Sequence, residues 1–94
     1  MILGIDPGLT GALAFLYAEE AELHDMPVMA RETGKGQEVN SYALAAMLRD
    51  ARPEHVILEK VHAMPGQGVS SVYSFGYSTG QIVGVVCTLG IPLS

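Results

Sequence analysis

The chain has 94 residues, 49% of them hydrophobic and 16% charged, with a formal net charge of −5. That describes one small domain too apolar to be disordered, and the acidic balance excludes a chain that grips nucleic acid by charge alone, a grip that Lys and Arg supply. Only five Lys and Arg residues occur, scattered along the chain, and the single Cys87 excludes a disulfide framework or cysteine-rich metal site and fits a reducing compartment.

The first residues, MILGID, form an apolar run that stops on one carboxylate, Asp6. Ile2, Leu3 and Ile5 leave no polar alternation, which predicts a central strand in a sheet covered on both faces. Pro7 and Gly8 turn the chain, Thr10 and Gly11 close the turn, and a second apolar strand runs over Ala12 to Tyr17. Ala21 to Met26 sets Leu23 and Met26 against Glu22, His24 and Asp25, the alternation of a half-exposed edge strand. Pro27 to Glu38 has no period and is expected to be a mobile loop. Its Gly34-Lys35-Gly36 lacks the spacing of a phosphate loop.

Asn40 is placed to cap a helix over Ser41 to Ala51, with Leu44, Met47, Leu48 and Ala51 on one face, and Pro53 ends it. Val56-Ile57-Leu58 predicts a short buried strand that also stops on a carboxylate, Glu59. After the loop VHAMPGQG, Ser70 or Ser71 is placed to cap a long helix reaching Leu89. Val72, Phe75, Thr79, Ile82, Val86 and Leu89 recur along it as an apolar stripe, and Cys87 within it is expected to be buried and inert. Gly90 closes this helix, and Ile91-Pro92-Leu93 begins a further strand. No repeat, linker or second domain interrupts the chain. No secretory leader precedes the first strand and no apolar run reaches the ~18 residues of a membrane span, so a cytoplasmic protein without a membrane partner is expected.

If the connection between the first strand and Val56–Leu58 is a crossover, the two strands are parallel. Asp6 and Glu59 then lie side by side at the carboxyl end of the sheet, where ligands of open α/β sheets sit. Two buried carboxylates repel unless a cation lies between them, and an all-oxygen site suits Mg²⁺ or Mn²⁺. The plainer alternative has Glu59 pairing with Lys60 or capping the second helix.

GIDPGLTGALAF, VILEKV and FGYSTGQIVGVVCTLGIPL, in this order and spacing, resemble the RuvC-type Holliday-junction resolvases, above all their compact phage and prophage relatives. The resemblance implies an α/β, RNase H-like mixed sheet of order 3-2-1-4-5 with helices packed on it. It also implies a homodimer that cuts branched DNA, a four-way junction, with two metal ions held by acids. Asp6 matches the family's first acid and Glu59 its second, as catalytic and metal-binding residues. The family takes its remaining acids from a helix beyond strand five, whereas here no Asp or Glu follows Glu59, no Lys or Arg follows Lys60, and strand five stops at Ser94. The expectation is an N-terminal piece of a longer nuclease, or a decayed gene, inactive by itself.

His62 occupies the place where some relatives carry an aromatic residue that stacks on an unpaired base. Lys60, Gln67 and Thr10 are further candidates for DNA contact, each with a plainer role as a solvated loop or turn residue. Gly76, Gly80 and Gly84 form a row at four-residue spacing, and glycine is costly inside a helix. The row predicts close approach of a second copy, with Tyr73, Tyr77 and Val83 as the apolar rim; the alternative sets it against the chain's own sheet. Two rivals stand beside the nuclease. The actin, hexokinase and chaperone ATPases open with a G-I-D-x-G-x-T phosphate turn that DPGLTG matches in part, and an RNase H-like dimerising scaffold needs no catalysis at all.

Overall fold

A computed structural model describes residues 1–32, 34–60, 66 and 68–94. Its strands are β1 (Ile2–Asp6), β2 (Ala12–Leu16), β3 (Ala21–Asp25), β4 (Val28–Ala30), β5 (Gln37–Val39) and β6 (His55–Leu58), and its helices α1 (Ser41–Ala51) and α2 (Val69–Thr88). Four strands form the main sheet, in the order β3-β2-β1-β6. β1 pairs antiparallel with β2, Ile2 opposite Leu16 and Asp6 opposite Ala12, and β2 pairs antiparallel with β3. β1 and β6 are parallel, Ile2 opposite His55 and Ile5 opposite Leu58, as a crossover through α1 requires.

Outside β6, Leu93 forms a parallel bridge with Val56. Val56 N–H donates to Pro92 O (2.8 Å), Ser94 N–H to Val56 O (2.9 Å) and Leu58 N–H to Ser94 O (2.9 Å). The expected order 3-2-1-4-5 is therefore present, with β6 as the fourth sheet strand and the segment around Leu93 as the start of the fifth.

The period of two in β1, β2 and β6 divides the sheet. Leu3, Ile5, Leu13, Phe15 and Val56 share one face and are buried against Leu44 and Leu48 of α1 and Ile82 and Val86 of α2. Asn40 caps α1 as expected, its Oδ1 accepting from Ala43 N–H (3.0 Å), and Arg52 in the left-handed region closes it. Gln81 ties α2 to the layer below: its Nε2 donates to Val39 O (3.0 Å) and Ser41 Oγ (3.2 Å).

The opposite face differs from expectation. Coverage of β1 on both sides is not found among the described residues, because both helices pack on the Leu3 and Ile5 face. Leu16, Leu23 and Ile57 stay exposed on the other. β3 is an edge strand as expected, but it is exposed throughout: Leu23 lies opposite Ala14 on the open face and is 73% exposed, while Met26, just past the strand, is buried.

Pro27 to Glu38 is not a plain loop. β4 and β5 pair antiparallel, Val28 opposite Val39 and Ala30 opposite Gln37, in strands too short to show a period. Gly34 and Gly36, both at positive φ, turn the chain between them. Gly68, not Ser70 or Ser71, is the N-cap of α2, and it contributes no side-chain bond. Cys87 is exposed, because its neighbour Val86 takes the buried position.

Candidate active site

The turn after β1 is tightly specified. Gly8 sits at φ 117° and Gly11 N–H donates to Gly8 O (3.2 Å). A Cβ on Gly11 would lie 2.0 Å from the Asp6 carbonyl oxygen, so no larger residue fits. Gly11 O in turn accepts from Met26 N–H (3.0 Å), fastening the end of β3 to the turn. Thr10 and Gly11 thus close the turn as expected, with Thr10 exposed at its tip. Asp6 stands at the base of a backbone knot with little freedom.

Glu59 N–H donates to Ile5 O (2.9 Å), carrying the parallel ladder one residue past Leu58 and bringing Glu59 level with Asp6. Neighbouring strands run ~4.8 Å apart, and alternation puts both residues on the open face. Both are exposed, not buried as expected, so water relieves the repulsion between them. The plainer roles for Glu59 are absent among the described residues. It makes no ion pair with Lys60, and no side chain caps α2.

A third carboxylate was missed. Asp25 lies opposite Ala12, which lies opposite Asp6, so Asp25, Ala12, Asp6 and Glu59 form one row across the sheet on its open face. Counting residues outward from the two turns would have found it. Asp25 is two strand spacings from Asp6, about 10 Å, and among the described residues no three acids, histidines or cysteines are grouped to hold a metal ion. Asp6 and Glu59 alone fit a hard divalent cation in donor chemistry, as two solvated carboxylates with room for water ligands.

Around this pair, Lys60 is exposed at the strand end. His62 and Gln67 lie outside the described residues. A cleft of about 380 Å³ separates Gly8 and Leu9 from Ser70, Ser71, Ser74 and Ser78 of α2. Sequence reasoning weighed two of these serines only as caps. Their spacing of four from Ser70 to Ser78 was the signal for a hydroxyl-lined helix face.

The glycine row does not pack on the sheet. Among the described residues, a Cβ added at Gly76, Gly80 or Gly84 would meet nothing within 4 Å, which speaks against the alternative that set these residues against the chain's own sheet. Tyr73 and Tyr77 stack beside the row, ring centroids 6.2 Å apart, both exposed, with Val83 half-buried. With Tyr42 and Met29 they line a cleft of about 600 Å³ under the β4–β5 hairpin.

No protein-family model matches the chain, and no curated protein sequence matches it. Solved structures do. T. thermophilus RuvC in complex with a Holliday junction substrate superposes with a TM-score of 0.67 at 18% identity, over 98% of this chain and 60% of that one. The fold is RuvC-like. A second Thermus thermophilus RuvC structure gives a TM-score of 0.56 at 17% identity with the same coverage. The chain therefore spans 60% of the length of the RuvC structures it matches. Among the described residues no helix is long and apolar enough to cross a membrane.

Proposed function

We propose that this chain is the N-terminal part of a RuvC-like, divalent-metal-dependent endonuclease of phage type that cuts four-way DNA junctions in the cytoplasm as a homodimer. One observation carries the proposal: within a RuvC-like fold, Asp6 and Glu59 stand level at the carboxyl ends of adjacent parallel strands, on a face no other described element covers. The two carboxylates would hold Mg²⁺ or Mn²⁺, which would supply Lewis-acid activation of water and charge stabilisation at a phosphodiester. The Gly8–Gly11 turn fixes Asp6, and the ladder bond from Glu59 N–H fixes its partner. Lys60, Thr10 and Ser70, Ser71 and Ser74 of α2, whose first N–H groups no described side chain caps, contact the DNA backbone. His62 and Gln67 contact bases at the junction. The glycine row and Tyr73, Tyr77 and Val83 face the second copy, which carries the second active site.

Two ligands leave most of an octahedron to water, so the 94-residue chain alone does not cleave. The test is a four-way junction assay in Mg²⁺ and in Mn²⁺, on the 94-residue chain and on a version extended by the coding sequence downstream. The extended protein cleaves, and Asp6→Asn or Glu59→Gln abolishes cleavage, because an amide keeps the shape and loses the charge. Robust cleavage by the short chain, or an extended protein indifferent to both substitutions, contradicts the proposal. A non-catalytic dimerising scaffold is favoured instead by one fact, the lack of a third acid beside Asp6 and Glu59 among the described residues. An extended protein that dimerises and never cleaves is that scaffold.

A further inference from the structure

The end of the sheet opposite Asp6 and Glu59 carries a cleft of about 350 Å³ between the last turns of α1 and α2. Leu48, Pro53, Leu89 and Ile91 make its apolar floor, and Arg49 and Arg52 stand exposed on its rim. These two are among only five Lys and Arg residues in a chain with ten carboxylates. Yet among the described residues neither arginine is ion-paired. Neither nearby acid pairs with them among the described residues. Asp50 lines a separate cleft beside Phe15 and His24, and Glu54 pairs with the Met1 amino group (3.5 Å).

Arg49 alone is explained by its place in the last turn of α1, where a cation complements the helix carbonyls. Arg52 is not. It occupies the left-handed position that closes the helix, at φ 51°, where glycine sits without strain. A long cation has been placed at a position whose backbone favours no side chain, beside an apolar cleft and three residues from a second cation.

We propose that this cleft docks an acidic, apolar peptide segment of a partner protein. The forked guanidiniums of Arg49 and Arg52 take carboxylates, for which their donor geometry is matched, and an apolar side chain of the peptide fills the floor between Leu48 and Ile91. Charge complementarity selects the occupant: this is a positive, half-apolar spot on a chain of net charge −5. A nucleic-acid backbone is the poorer fit. It brings phosphates but no apolar group for the floor, and two arginines alone make too small a basic field to hold it.

The probe is a fluorescein-labelled hexapeptide of three aspartates followed by leucine, proline and phenylalanine, titrated with the 94-residue chain and read by anisotropy. Binding is saturable and weakens with added salt. Asparagines in place of the aspartates weaken it about tenfold or more, as does the double variant Arg49→Gln/Arg52→Gly, since each removes charge-assisted contacts. Arg52→Gly suits the left-handed backbone, so thermal melting of the variant is expected to match or exceed that of the unaltered chain. Should the double variant fail to fold, a lysine-for-aspartate peptide on the unaltered chain decides the matter, and it must not bind. Equal binding by the double variant or by the asparagine peptide overturns the proposal. So does an oligothymidylate that displaces the peptide with the same dependence on the two arginines, which would make the cleft a nucleic-acid contact.

Discussion

The two faces of the main sheet are built from the same strands and do opposite work. On one, Leu3, Ile5, Leu13, Phe15 and Val56 are buried under two helices. On the other, one residue along each strand, lie Asp6, Asp25 and Glu59, with Leu16, Leu23 and Ile57 exposed among them. A period of two lets a short strand hold the fold together with every second residue and leave the rest to chemistry. Stability and function should therefore respond to different substitutions made one position apart.

The largest effect is expected on the covered face. Leu13→Ala leaves a cavity beneath α1 and α2 and should lower the unfolding free energy by about 2–5 kcal/mol in urea denaturation, a large part of what a small domain possesses. Gly11→Ala joins the two faces, since its Cβ would collide with the Asp6 carbonyl. A loss of about 1–3 kcal/mol is expected from the strain, read by thermal melting, together with displacement of the Asp6 amide signal in NMR. A loss with no change at Asp6 would mean that the turn does not hold the carboxylate.

Gly80→Ala should act in the other direction. With open space around it and a helical backbone, alanine is expected to raise stability by about 0.5–1 kcal/mol. Gly80→Leu sharpens the assembly question by sedimentation: a folded monomer in place of a dimer supports contact between copies, and an unaltered chain already monomeric at high concentration removes it. The smallest effect is expected on the open face. Asp6→Asn should change unfolding free energy by less than about 0.5 kcal/mol, because an exposed carboxylate without an ion pair contributes little to the fold. Destabilisation as large as that of Leu13→Ala would dissolve the distinction between the faces.

Much of this was legible in the sequence. Asp6 and Glu59 end apolar runs, so the two strand ends could be read, and parallel pairing through a helical crossover set them level. The stripe through Ile82 and Val86 marked the packed face of α2, and the bare row Gly76, Gly80 and Gly84 marked the other. What escaped depends on what covers a strand rather than on its pattern. An apolar β1 reads as doubly covered, yet nothing described lies over Ile57. Leu23 gives β3 the alternation of a half-exposed strand, but its register against Ala14 puts it on the open face. β4 and β5 are three residues each, below the length at which alternation can be counted. Asp25 joins the acidic row only through two successive pairings, a relation that no local motif records.

Paramagnetic broadening by Mn²⁺ tests the central claim most directly. In the ¹⁵N spectrum of the 94-residue chain, traces of Mn²⁺ should broaden first the amides of Asp6 and Glu59 and those of the Gly8–Gly11 turn. Asp6→Asn should abolish that pattern while the rest of the spectrum stays in place. Broadening centred elsewhere, for example on the exposed Glu19 and Glu20, or a pattern that survives Asp6→Asn unchanged, would contradict the assignment of the open face as the metal and DNA site.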